Sequence, residues 1–326
     1  MKKKIMVTVI AVVLALQLGG CKQLGEEASS QNSSSVLSNP SSNAEMSSAE
    51  SVSSAQEVSS EPAVSSEALE SLISQIENNT SVVSQPTQTV LTPQYTDLAK
   101  LDSKKNGRGQ GTRVDEKNRP ISCVGYQEKY GKYGAVFIKE DTKDFYLTFD
   151  EGYENGYTPK ILDVLKQKQA PAVFFVTKDY VKRNPGLVKR MIEEGHVVGN
   201  HSWSHPSMPT LTLEDATKEI TQLHDYVKEE FGYEMTLFRP PMGEYSEQTL
   251  ALTQQLGYQS VFWSYAYKDW DPNNQPDQAA SLEKALKYAH GGAVYLLHAV
   301  SSTNTNMLGD FIDGIRQKGY ELKALE

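Results

Sequence analysis

The sequence predicts an α/β fold, a barrel related to the eight-stranded (β/α) type, and three observations carry that prediction. From Asp144 onward, short apolar or β-branched runs alternate with amphipathic helical patterns. The helical patterns begin and end with ordinary capping residues. The reactive side chains fall at the C-terminal ends of the runs, where a (β/α) barrel carries its chemistry. A doubly wound open sheet is the alternative reading of the same alternation.

The predicted strands are 145–149, 172–177, 196–199, 236–238, 260–264, 293–298 and 321–325. Between them, a helix starts at Thr158-Pro159 and turns Ile161, Leu162, Val164 and Leu165 inward. A second starts at Asn184-Pro185, packs Leu187, Val188, Met191 and Ile192, and stops at Gly195. A third runs from Thr212, with Asp215 in its first turn, to Gly232, and lines up Ile220, Leu223, Val227 and Phe231. Three more are expected over 246–256, 278–288 and 306–318.

The first hundred residues read differently. Residues 1–20 have a Lys2-Lys3-Lys4 start and an apolar run from Ile5 to Leu16, then "LGG" before Cys21. That is an export signal, too short and wrongly flanked for a stable membrane-spanning helix. "LGGC" resembles a bacterial lipobox, which implies cleavage before Cys21, lipidation of its thiol, and anchoring to the outer face of the cytoplasmic membrane. An ordinary signal peptide with a chance cysteine is the alternative. Residues 21–95 hold one Lys, nine Glu and a large excess of Ser, with few large apolar residues. Such a segment cannot bury enough surface to offset its ordering entropy, so it is expected to be a disordered tether. Leu69, Leu72, Ile73 and Ile76 could line one face of a short helix within it. Residues 96–142, rich in Gly, Lys and Tyr, are expected to wrap the barrel domain of 143–326.

Of the net charge of −9, the signal and tether account for −5, leaving −4 for the rest without any basic stripe. Nucleic acid binding is thereby excluded, and nothing in the sequence identifies a protein partner. With Cys21 lipidated, the remaining cysteine, Cys123, has no disulfide partner, and the domain depends on its core.

"DEG" follows the first predicted strand, "HSWSH" the third, "RPPMG" the fourth and "KDW" the fifth, while "LLH" closes the sixth. His201 and His205 lie four apart and, if helical, share a face that can offer two nitrogens to one metal; alone, such a pair also arises by chance. With an acid from the end of the first strand they would make a two-His, one-carboxylate set with positions open for water and substrate. Arg239 is either a rim arginine or a guanidinium that orients a carboxylate. Asp269 and Trp270 could simply end a strand. His298 is either a satisfied core histidine or, oriented by an aspartate, a general acid.

In this order, "TFDEG", "HSWSH", "RPPMG", "DW" and "LLH" resemble the five motifs of the NodB-homology polysaccharide deacetylases, carbohydrate esterase family 4. The resemblance covers residues 143–325. Longer stretches, such as "FDEGYENGYTPKILDVLK" and "GGAVYLLHAVSSTN", narrow it to the delta-lactam-forming muramic-acid deacetylases within that family. It implies a distorted (β/α) barrel and metal-assisted amide hydrolysis on peptidoglycan glycan strands. By position it implies Asp150 as general base, Arg239 as its orienting partner, and His298 as general acid held by Asp269. It implies His201 and His205 as ligands of a divalent metal, zinc, with Glu151 in the third ligand's place, and Trp270, Leu296 and Tyr153 around the substrate pocket.

Two positions depart from the pattern. Glu151 stands where most of the family has Asp and the muramic-acid branch often has Asn; its extra methylene moves the carboxylate by about 1.5 Å. Ala266 stands where many relatives carry a further Asp. Two other readings stay open at this stage: a deacetylase of another polymer (N-acetylglucosamine-based, chitin-like or xylan), and a glycan-binding lipoprotein whose weakened site no longer turns over.

Overall fold

A computed structural model describes residues 93–107, 109–140 and 142–325. The export signal, Cys21, the tether up to residue 92 and the short helix expected within it lie outside these residues. A one-turn helix α1 (Tyr95–Leu98) and α2 (Ile121–Tyr130) precede the first strand, β1 (Ala135–Val136). The alternation then runs β2 (Asp144–Glu151), α3 (Thr158–Lys168), β3 (Val173–Val176), α4 (Lys178–Arg183), α5 (Pro185–Glu193), β4 (Val197–Asn200), α6 (Leu213–Phe231) and β5 (Leu237–Phe238). It continues α7 (Glu247–Gln255), β6 (Gln259–Val261), α8 (Gln278–Lys287), β7 (Ala293–His298), α9 (Ser302–Gln317) and β8 (Glu321–Leu322).

The caps read from sequence set the helix starts. The Thr212 hydroxyl accepts from the Asp215 amide at 3.1 Å, and the Ser246 hydroxyl from the Thr249 amide at 3.1 Å. Gly232 ends α6 in the left-handed conformation, φ 64°. Helix α9 starts at Ser302, four residues earlier than the apolar periodicity suggests, because Ser301 caps it by accepting from the Asn304 amide.

All paired strands are parallel, in the order β1-β6-β5-β4-β3-β2-β7, with β8 on β2. The sheet is not left open. Beyond β6 the chain bends over to β7, where the Ser264 amide donates to the Val294 carbonyl at 2.8 Å and the Leu296 amide to the Tyr265 carbonyl at 2.9 Å. Below that bend, β1 lies on β6, and the Lys139 amide donates to the Gly292 carbonyl at 2.9 Å. The fold is therefore a distorted barrel, and the open-sheet alternative falls. The segment expected to wrap the barrel supplies a strand that fills its seam.

Alternation along β2 decides which side chains see the lumen. Phe145, Leu147 and Phe149 join the core between strands and helices. Tyr146 packs with the plug inside the barrel, formed by Val173, Phe175, Leu237, Val261 and Val294. Gly199 belongs to this plug for want of a side chain: a Cβ there would lie 2.5 Å from the Phe175 ring. That ring carries the guanidinium of Arg239, 4.1 Å above its centroid.

Candidate active site

At the C-terminal end of the barrel, Asp150 of β2 sits directly across from His298 of β7 in the parallel register. Arg239 follows β5 immediately and is completely buried. Its Nη1 donates to Asp150 Oδ1 at 2.7 Å, its Nε to the Val261 carbonyl at 3.1 Å, and its Nη2 to the Phe262 carbonyl at 3.1 Å. Two carbonyls and an aromatic face thus hold the guanidinium in one pose against the carboxylate. Burial alone would raise the Asp150 carboxyl, but Arg239, with help from the charge on His298, outweighs it and holds the group below the usual carboxylate range.

The residues of "HSWSH" are not helical; they form a tight loop. Ser202 (φ 70°) and His205 (φ 59°) both occupy the left-handed region, which non-glycine residues enter at a cost of about 1–3 kcal/mol. Side-chain bonds fix the loop: Asn200 Oδ1 accepts from the Ser202 amide, and Ser202 Oγ from the His205 amide, each at 2.9 Å. The two rings converge, with their Nε2 atoms 3.2 Å apart. His201 Nδ1 donates to the Arg239 carbonyl at 2.8 Å, which leaves the Nε2 lone pair facing Asp150 Oδ2 at 3.5 Å. Burial pushes His201 down to about 4 against the pull of Asp150, and burial also lowers His205, so both imidazoles are neutral.

The donor set fits a divalent cation held by these two nitrogens. Their separation is close to the roughly 3.3 Å that two imidazoles on one tetrahedral ion would have, and the backbone bond at Nδ1 is the usual support for a ligating ring. The third ligand expected from sequence is placed elsewhere. Strand β2 runs through Glu151, pairing it with Val176, so neighbours Asp150 and Glu151 point to opposite faces. Glu151 is fully buried toward α3, where the Thr158 hydroxyl reaches its two oxygens at 3.4 and 3.5 Å. Burial, reinforced by Glu154, pushes its carboxyl well above the usual carboxylate range. Among the described residues, no group of three His, Cys, Asp or Glu is assembled to hold a metal. We expect Glu151→Gln to take up added divalent metal as the wild type does, measured by elemental analysis, and to keep activity within about threefold, the range of a near-isosteric change at a buried group turned away from the cavity; His205→Ala should take up less.

Asp269, fully buried, takes the other side of the site. Its Oδ1 accepts from His298 Nδ1 at 2.7 Å and its Oδ2 from the His298 amide at 2.9 Å. Burial works against a charged imidazole, but the Asp269 carboxylate, with Asp150 beyond it, outweighs burial and Arg239; His298 holds its proton above the ordinary histidine range. Between the two pairs lies a cavity of about 440 Å³ lined by Asp150, His201, His205 and His298 together with Tyr153, Trp270 and Leu296. Tyr153 and Trp270 are about half exposed at its rim, whereas Leu296 is buried in its wall. Met242, Trp263 and Tyr267 also line it and escaped the sequence reading. A positive φ of 58° at Met242, a bulky residue in "RPPMG", marks a turn that aims an exposed apolar side chain at the opening.

His224 and His290 are structural. His224 bridges the Tyr258 hydroxyl and Glu234, and His290 the Tyr288 carbonyl and Ser264 hydroxyl.

Residues 138–261 match the family model described as polysaccharide deacetylase. The chain is 48% identical over 209 residues to an uncharacterized 30.6 kDa protein of Geobacillus stearothermophilus, covering 64% of this chain and 79% of that one. It is 46% identical over 200 residues to the peptidoglycan-N-acetylmuramic acid deacetylase PdaA of Bacillus subtilis, covering 61% and 75%. The solved structure of Bacillus subtilis PdaA, a family 4 carbohydrate esterase, superposes with a TM-score of 0.65 at 40% identity, covering 69% of this chain and 96% of that structure. With the same barrel and the motif residues gathered at one end of it, the chain belongs to the polysaccharide deacetylase family, carbohydrate esterase family 4, of NodB homology.

Proposed function

We propose that the protein removes acetyl groups from the glycan strands of peptidoglycan, acting on N-acetylmuramic acid. The observation that carries this is the pair of charge-balanced dyads, Asp150–Arg239 and Asp269–His298, facing each other across one open cavity. The muramic preference draws its support from the relative named for that activity.

The chemistry follows from the protonation states. Asp150, ionised and fixed by Arg239, takes a proton from water as its oxygen attacks the acetyl carbonyl carbon. A divalent cation held by His201 and His205, zinc by the preference of paired imidazoles, would polarise that carbonyl. His298 gives its Nε2 proton to the nitrogen as the carbon–nitrogen bond breaks, so acetate and an amine leave. Asp269 keeps the ring in its Nδ1–H tautomer and stabilises the imidazolium beforehand. On muramic acid, the freed amine stands beside the lactyl carboxyl group, and the two can close a delta-lactam as the carboxyl loses its oxygen as water. Export and a lipid anchor at Cys21 would place the enzyme on the outer face of the cytoplasmic membrane, within reach of the wall.

Because His298 must be protonated and its proton is held above the ordinary histidine value, kcat/KM should fall as pH rises, with the fall centred above about 6.5. A fall centred below about 6.5 would contradict the assignment. Mass spectrometry of muropeptides from treated peptidoglycan tests the substrate: acetyl loss and lactam on muramic residues are expected. Loss confined to glucosamine would overturn the muramic preference and leave the reaction class intact.

A further inference from the structure

Behind the Asp269–His298 pair lies a residue to which no step above gives a role. Asn304, in the first turn of α9, is 1% exposed, a site where an apolar side chain would be the ordinary occupant. Its Nδ2 donates to Asp269 Oδ2 at 2.6 Å and to the His298 carbonyl at 3.1 Å. Its Oδ1 accepts from the Tyr267 hydroxyl. The amide has one possible orientation, since a carboxylate oxygen and a carbonyl can only accept. One side chain therefore ties together the loop carrying Tyr267 and Asp269, the end of β7, and the start of α9.

We propose that Asn304 is a positioning residue for the general acid: it holds Asp269 so that the carboxylate keeps the His298 ring in place. The inference rests on the reading of His298 as proton donor. Among the described residues, His298 is the sole ion-pair partner of Asp269, so no lysine or arginine shares the task of orienting it. Without Asn304, Oδ2 would keep only the His298 backbone amide, and the carboxylate could swing about that bond. The ring would then lose the fixed direction from Nε2 toward the leaving nitrogen. Tyr267 lines the cavity, so the same amide also links the acid to the wall that the sugar meets. Ser301 accepts from the Asn304 backbone amide, not its side chain, so the helix cap survives substitution.

Ordinary packing and positioning predict opposite orders of damage. If Asn304 only fills space, the isosteric Asn304→Asp should be milder than Asn304→Ala. If it positions Asp269, Asn304→Asp should be the worse, because it turns a carboxylate toward two acceptors. We expect kcat to fall about tenfold to a hundredfold in Asn304→Ala, and further in Asn304→Asp, with KM changed less. The loss in Asn304→Asp should deepen as pH rises and the added carboxyl gives up its proton. The groups facing His298 from the surrounding elements, Asp269, Asp150, Arg239 and His205, are common to the wild type, Asn304→Ala and Asn304→Asp. Tyr267→Phe, which removes the bond to Oδ1 together with the hydroxyl's interaction with Ser281, should cost a fewfold.

In an Asp269→Ala background, Asn304→Ala should have no further effect on kcat, since the residue acts through that carboxylate. Additive losses would overturn the proposal. A readout without substrate separates its failure from failure of the proposed function: the hydrogen-bonded Nδ1 proton of His298, seen downfield by NMR, should shift or broaden in Asn304→Ala. If that signal is unchanged in folded Asn304→Ala, the positioning role is wrong whatever the activity. If it moves while the wild type releases no acetate, the activity is what has been misread.

Discussion

Asp150→Asn is expected to slow acetate release by at least about a thousandfold, the upper range of a positioned acid–base group. Among the described residues, no other side chain at the mouth of β2 is placed to take the water's proton. Glu151 is turned into the core, away from the cavity, and the two imidazoles present single lone pairs that a cation would occupy. The amide that replaces the carboxylate keeps its volume but leaves the buried Arg239 charge without an anion. A lower melting temperature should therefore accompany the lost activity, and KM should change little if Asp150 acts in the chemical step. Steady-state assays of acetate release, with circular dichroism to confirm folding, check both parts.

Arg239→Met should be the most destabilising single change at the site, by about 3–5 kcal/mol, because it leaves Asp150 buried without its counter-charge. It also strips donors from the Val261 and Phe262 carbonyls, which are closed off from water inside the barrel. Denaturant unfolding of the variant measures the loss. Adding Asp150→Asn to Arg239→Met should recover part of it, since the double variant no longer buries an unpaired charge. If Arg239 served merely as packing over Phe175, the second substitution would bring no recovery. The same variant should be nearly inactive, as a base no longer held toward the water is poorly aimed.

Much of this site was legible before the structure. Asp150, Arg239 and His298 each end or directly follow an apolar run, Asp269 lies in the loop that leaves one, and a barrel gathers such ends on one face. The match of Arg239 with Asp150 was implied by the family resemblance, and the two side chains are joined by an ion pair of 2.7 Å. Glu151 was misplaced for a simple reason: the strand was read as ending at Phe149 but continues two residues further, and alternation then turns Glu151 away. The geometry of His201 and His205 depends on two left-handed residues between Asn200 and Pro206, which no helical or strand period encodes. The closing strand Ala135–Val136 is two residues long in a segment without a period, so only its pairing with β6 reveals it. Asn304 stayed hidden because α9 begins at a serine cap rather than where its apolar stripe starts.

The account depends on a division of labour: Asp150 activates water and His298 protonates the leaving group. The measurement that bears on it most directly compares two acetylated substrates for His298→Ala in the zinc-loaded protein. One is an N-acetylated peptidoglycan glycan, whose amine leaves only when protonated; the other is an activated aryl acetate, whose leaving group needs no proton. The account predicts that the variant loses about a hundredfold to ten-thousandfold on the amide and less than about tenfold on the ester. Equal loss on both substrates, or amide hydrolysis at the wild-type rate, would contradict it.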